Sequence, residues 1–139
     1  MRYWDASAVV PLLIVEDSTP TARAWLTEDP GIVTWWGTPL ECVSALARRQ
    51  REGGLPEASI IDAVERLEVL AQTWHEVSPT DGVRRTAVRL LRSHPLRAAD
   101  SLQLAAAIAA ADGDPGSMPF VTLDARLADA ASKEGFRIG

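Results

Sequence analysis

"LRAADSLQLAAAIAAADGDPGSMPFVTLD", Leu96 to Asp124, holds the pattern that decides the fold class. Its first half is almost entirely helix-former and poor in charge, as a buried helix should be. "DGDPG" ends that helix. "PFVTLD" then reads as a short buried strand. A buried helix running straight into a buried strand is the repeating unit of a parallel sheet. Two acids punctuate it: Asp100 at the head of the alanine-rich helix, and Asp124 directly after the strand.

Outward from there the alternation continues. "ARLADAASKEG" predicts a helix closed by Gly135, and "FRI" a last strand. Upstream, "TDGVRRTAVRLLRSH" is an amphipathic helix stopped before Pro95, and "WHEV" a short strand. "PEASIIDAVERLEVLAQT" puts Ile60, Ile61, Val64, Leu67 and Leu70 on one helical face. "TPLECVSALARRQREGG" has Thr38 as cap, Pro39 at the first helical position and Gly53–Gly54 as the stop. "IVTWW" predicts a buried strand, "TPTARAWLTED" a helix ended at Asp29–Gly31. The opening "MRYWDASAVVPLLIVED" predicts a strand to Trp4, a turn at Asp5–Ser7, and a helix capped by Ser7 with Pro11 in its first turn. No repeat or linker divides the chain, so residues 1–139 are expected to form a single α/β domain with a mostly parallel sheet.

The 139 residues can bury roughly two-thirds of their unfolded surface and need no staples. One cysteine, Cys42, forbids an internal disulfide and leaves no zinc spacing, which suits a reducing cytosol. The apolar run "AVVPLLIV" is too short for a membrane span, and no secretory signal is visible, so a cytoplasmic protein is expected. The net charge of −5 argues at first sight against a nucleic-acid partner. Yet Lys133 is the only lysine, the other thirteen of the fourteen basic residues being arginine, the better fork for phosphate.

Parallel sheets bind ligands outside the carboxyl ends of their strands. Asp5 and Asp124 each follow a strand, while Glu41 and Asp100 lie in helices among apolar neighbours. Each has an ordinary explanation. Asp5 and Asp124 suit N-caps, Glu41 suits the dipole of a first helical turn, and Asp100 could pair with Arg97. A single cause would be a cluster of carboxylates at one end of the sheet. Two carboxylates about 5 Å apart repel by roughly 3 kcal/mol at an effective dielectric near 20. With no lysine nearby, the natural countercharge is a hard divalent cation, Mg²⁺ or Mn²⁺. Such an ion activates water, binds phosphoryl oxygens, and lets an acidic site accept an anionic substrate. Arg48, seven residues after Glu41, returns to within about 20° of it around the helix, and Arg49 follows; both could grip phosphates leading in.

These acids in this order resemble the PIN-domain family of metal-dependent ribonucleases, particularly the VapC-like toxins of bacterial toxin–antitoxin pairs. "YWDASAVV" resembles the family's strand followed by Asp-x-Ser and supplies Asp5 with Ser7 beside it; "TPLECVSALARR" supplies Glu41. "LRAADSLQLAAA" supplies Asp100, and "FVTLDARLADAASKEGF" supplies Asp124 with Arg126. The resemblance implies a three-layer α/β/α sandwich and a toxin endoribonuclease. It implies Mg²⁺ or Mn²⁺ held by Asp5, Glu41, Asp100 and Asp124, attack by a metal-activated water, and a 3′-hydroxyl leaving group. It also implies a homodimer and a cognate antitoxin whose tail occupies the groove. Ser7, Arg48, Arg49 and Arg126 are the candidate RNA contacts. The chain departs from the family at Gln103, where relatives often carry histidine, three residues after Asp100 and so expected to bear on its orientation.

Rival readings are weaker. A doubly wound phosphatase or phosphotransfer domain wants a second acid two residues after Asp5, where Ser7 stands, or a lysine late in the sheet. The alternative outside enzymology is a non-catalytic α/β binding module that pairs with a protein partner. Its acids would be only caps and surface charge, and Trp4, Trp25, Trp35, Trp36 and Trp74 would feed core and interface. A degenerate nuclease that binds RNA without cutting would keep the same four acids.

Overall fold

A computed structural model describes residues 1–139. Its elements alternate as the sequence predicts. In chain order they are β1 (Arg2–Trp4), α1 (Ala6–Leu13), α2 (Thr19–Glu28), β2 (Ile32–Trp35), α3 (Thr38–Arg51), α4 (Glu57–Ala71), β3 (His75–Val77), α5 (Asp81–Ser93), α6 (Ala98–Ala111), β4 (Phe120–Val121) and α7 (Ala125–Lys133). A short 3₁₀ turn at Pro115–Ser117 links α6 to β4. The strands form one parallel sheet in the order β3-β2-β1-β4. Tyr3 pairs with Val33 on one side and Phe120 on the other, so β1 is central. No helix is long and apolar enough to cross a membrane.

Strand alternation divides the core into two layers. Tyr3, Val33, Trp35 and Phe120 face α5, α6 and α7. Trp4, Ile32 and Val121 face the helices α1 to α4. The result is a three-layer α/β/α sandwich. Both faces of the sheet are covered where β2 and β4 lie, and these strands are buried at every position; the edge strand β3 is largely exposed. In α6, Leu104, Ala105, Ala106 and Ala107 are buried; the small alanines let this helix lie close on the sheet.

Local details differ from expectation for tertiary reasons. The first helix starts two residues earlier, with Asp5 rather than Ser7 as its cap, and Pro11 is its sixth residue rather than part of the first turn. Pro11 is buried, and its carbonyl accepts from the Thr19 hydroxyl at 2.8 Å. On α4 the buried positions are Ala63 and Leu67, and Ile61 is exposed, because the helix meets the core along a narrower stripe than the apolar pattern suggests. "FRI" contributes a single bridge, Phe120 to Ile138, instead of a strand.

Candidate active site

β1 and β4 are neighbours, so the residues that follow them lie side by side although 119 positions separate Asp5 from Asp124. Asp5 caps α1, and its Oδ1 accepts from the Ala8 N–H at 3.2 Å. The Ser7 hydroxyl donates to Oδ1 and Oδ2 at 2.8 and 3.0 Å. Its oxygen accepts from the Leu123 N–H at 2.9 Å and meets the Thr122 hydroxyl at 3.2 Å. Ser7 therefore staples the start of α1 to the loop after β4, and its proton is committed to Asp5. Asp124 caps α7, its Oδ1 accepting from Arg126 and Leu127 N–H groups at 2.9 and 3.1 Å. The capping explanation is correct for both aspartates, and both nonetheless line the same cleft.

Glu41 reaches that cleft from the first turn of α3. Gly37 leaves room for the Trp35 indole against the β2–α3 turn: a Cβ there would fall 2.5 Å from the indole nitrogen. Asp100 comes from the first turn of α6, where its Oδ2 accepts from the Arg97 backbone N–H at 3.3 Å; no ion pair joins it to the Arg97 guanidinium. All four acids thus line one cleft of roughly 440 Å³ at the carboxyl end of the sheet. An adjoining hollow shares Arg48, Asp100 and Asp124 and adds Arg97 and Arg126.

The electrostatics are those of uncompensated anions. Burial pushes the Asp5 carboxyl up to about 6, against hydrogen bonds that pull the other way. Burial, then the charges of Asp5 and Asp100, push Glu41 up to about 7, while the Gln103 amide lowers it. Asp100 is also raised, by burial first and by Asp124 after its own hydrogen bond. Behind Glu41, burial and the same negative charges push the Cys42 thiol up to about 12, which leaves it no part as a nucleophile.

The arginines divide. Arg48, Arg97 and Arg126 are exposed beside the acids, whereas Arg49 is paired with Glu16, another cleft residue, and also donates to the Ala45 carbonyl. Asp129 lies outside, paired with Lys133 at 2.9 Å. Gln103 points elsewhere than expected. It contacts Glu41, Thr38 and Tyr3 rather than Asp100. It is the single polar side chain between Ser101 and Asp112, and that interruption of an apolar helix is the signal that could have marked it. Glu16 and Arg97 gave no such signal.

The donor set is all oxygen and all anionic, which suits a hard divalent cation. No three His, Cys, Asp or Glu side chains lie close enough together to grip one ion as they stand. The residues fit a cation that keeps several of its waters, and its charge would offset the mutual repulsion of the carboxylates.

The class that fold and site define agrees with known proteins. The PIN-domain family model matches residues 2–133, and the chain belongs to that family. Within it the chain is VapC-like. It is 36% identical to "Ribonuclease VapC45" of Mycobacterium tuberculosis (strain CDC 1551 / Oshkosh) over 137 residues, 98% of this chain and 92% of that protein. "Ribonuclease VapC49" of the H37Rv strain matches to the same extent. Among solved structures, Mycobacterium tuberculosis VapC20, described as a sarcin-ricin loop cleaving toxin, superposes with a TM-score of 0.69 at 18% identity, covering 98% of this chain and 96% of that one. FitAcB from Neisseria gonorrhoeae gives 0.68 at 18% identity, with 99% and 96% covered.

Proposed function

We propose that this chain is the toxin of a toxin–antitoxin pair, an endoribonuclease that hydrolyses RNA phosphodiester bonds and releases a 3′-hydroxyl. The observation that carries this reading is the meeting of Asp5, Glu41, Asp100 and Asp124 from four elements in one cleft without a lysine among them. Its VapC relatives are ribonucleases by name. The four carboxylates would hold Mg²⁺ or Mn²⁺; when bound, such an ion activates water and neutralises charge developing on the phosphoryl oxygens. Asp5 and Asp124 are held by helix N-termini and do not need to reorganise as substrate arrives. Arg48, Arg97 and Arg126 in the adjoining hollow would take RNA phosphates beside the acids. Arg49 would do so only after leaving Glu16. Ser7 acts by orienting Asp5 rather than by touching RNA.

The partners that follow are RNA, an antitoxin protein and a second copy of the chain, in the cytoplasm. One apolar hollow, with Leu12, Leu13, Val69 and Leu70, and another, with Trp36, Leu40, Val43 and Val64, offer surface to protein partners.

Purified protein incubated with total RNA decides the matter. Cleavage with Mg²⁺ or Mn²⁺, none with chelator, and none by Asp5→Asn or Asp100→Asn supports the nuclease. Intact RNA in every lane, with no Mn²⁺ effect on melting, favours the binding module.

A further inference from the structure

The Gln103 side chain is buried, 1% exposed, in an otherwise apolar stretch of α6, and every polar atom it carries is engaged. Its Nε2 donates to Glu41 Oε2 and to Thr38 Oγ1, the latter at 3.1 Å. Its Oε1 accepts from the Tyr3 hydroxyl at 2.7 Å. The orientation of the amide is dictated by its neighbours. Turned over, it would set Oε1 against a carboxylate oxygen and take from the Tyr3 hydroxyl the acceptor of its proton. The phenol has one proton, and it is given to this amide oxygen. Thr38 is bound in turn to Thr34 at 2.6 Å, and the Thr34 hydroxyl donates to the Trp4 carbonyl of the central strand at 2.8 Å.

We infer that Gln103 is the positioning residue for Glu41: anchored to β1 through Tyr3, its amide occupies Oε2 and turns Oε1 to the cleft. Glutamate has three side-chain torsions, and nothing else in the chain hydrogen-bonds to this carboxylate, so without the amide it is free to rotate. Groups that orient a metal ligand typically matter by about 10- to 100-fold in affinity or activity. The amide also differs from a histidine at this place in carrying no charge at any working pH, so the support it lends is constant. The inference rests on the proposed metal-site reading, and its test is separable from that of RNA cleavage.

Mn²⁺ binding to the metal-free protein, followed by electron paramagnetic resonance or calorimetry, reads the effect directly. Gln103→Leu is expected to weaken Mn²⁺ binding by at least about tenfold and to lower kcat in parallel, with KM for RNA within about twofold. Gln103→Leu strands the Tyr3 hydroxyl, so the double variant Tyr3→Phe/Gln103→Leu supplies an apolar pair that folds well. It is expected to regain melting temperature without regaining Mn²⁺ affinity. Wild-type Mn²⁺ affinity in Gln103→Leu, or affinity that returns together with stability in the double variant, overturns the inference and makes Gln103 a packing residue. A wild-type chain that binds no Mn²⁺ overturns it along with the metal site. RNA left intact by a Mn²⁺-binding wild type, with affinity lost in both variants, ends the nuclease reading and supports this one.

Discussion

The two ends of strand β1, three residues long, treat charge in opposite ways. At its amino end Asp29 and Glu28 each have a cation. The amino terminus pairs with Asp29 at 2.7 Å and Arg2 with Glu28 at 2.5 Å. The bond from the amino terminus, ahead of that from the Gly31 N–H, holds the Asp29 carboxyl below its usual range. At its carboxyl end Asp5, Glu41 and Asp100 share a cleft, none of them in an ion pair with a side chain of the protein, and all three are pushed up. Both ends hold carboxylates beside the same sheet. The difference is that one set is paired within the chain and the other is not. Uncompensated charge in a buried place destabilises the fold, a cost that the proposed nuclease site would account for.

The sharpest way to break this contrast is Asp5→Asn. It is expected to lower RNA cleavage on the order of 10³-fold, the upper range for loss of a charge-stabilising group. It is also expected to stabilise the metal-free protein at neutral pH. A carboxyl raised from 3.8 to about 6 corresponds to roughly 3 kcal/mol as an upper bound, seen as a higher melting temperature. If Asp5→Asn melted lower than wild type at pH 7.5 in chelator, the contrast between the two ends would be false.

Divalent ion should act on one end only. At about 100 times its dissociation constant, Mn²⁺ should stabilise the wild type by about 2.7 kcal/mol, observed by calorimetry, and leave Asp5→Asn little changed.

The pH dependence sharpens the same point. Asp5 and Glu41 bind protons more tightly when folded than at their model values of 3.8 and 4.5. Their destabilising effect is therefore absent below about pH 4, grows through the interval up to about 6 and 7, and is full above it. In chelator the wild type should lose stability from these groups as pH rises from 5 to 7.5. Glu41→Gln should flatten that slope in a series of thermal melts. Asp29 has the opposite sign: its contribution is present above about pH 4 and is lost as pH falls through its lowered value.

The smallest effect belongs to the compensated end. Asp29→Asn should cost about 0.5 kcal/mol, as exposed pairs do, and leave cleavage unchanged in the total-RNA assay.

Much of this was legible in the residues. The alternation of helix and strand, the buried character of α6, and the acids placed just beyond β1 and β4 all follow from rules that act within a turn or two of the chain. Glu41 and Asp100 were legible as acids among apolar neighbours, and their family motifs tied them to the others. The exceptions are contacts between distant segments. Arg49 has the helical spacing of a phosphate grip, but it is engaged by Glu16, 33 positions away. Gln103 lies three residues from Asp100 yet bonds to Glu41, 62 positions away. Ile61 has the periodicity of a core residue and is exposed because no element covers that side of α4.

By itself the amino-acid sequence determined the class of fold, the order of the elements and the types of group available for chemistry. Periodicity, capping and composition are local, and each segment carries its own. Only the tertiary structure decided that β4 lies beside β1, and with it that Asp124 meets Asp5. The strand order β3-β2-β1-β4 depends on which apolar faces bury each other across the whole chain, and no local rule contains that choice. The partners of Arg49 and Gln103 were decided at the same moment, because a hydrogen bond reaches about 3 Å and takes whichever group the packed sheet brings within it.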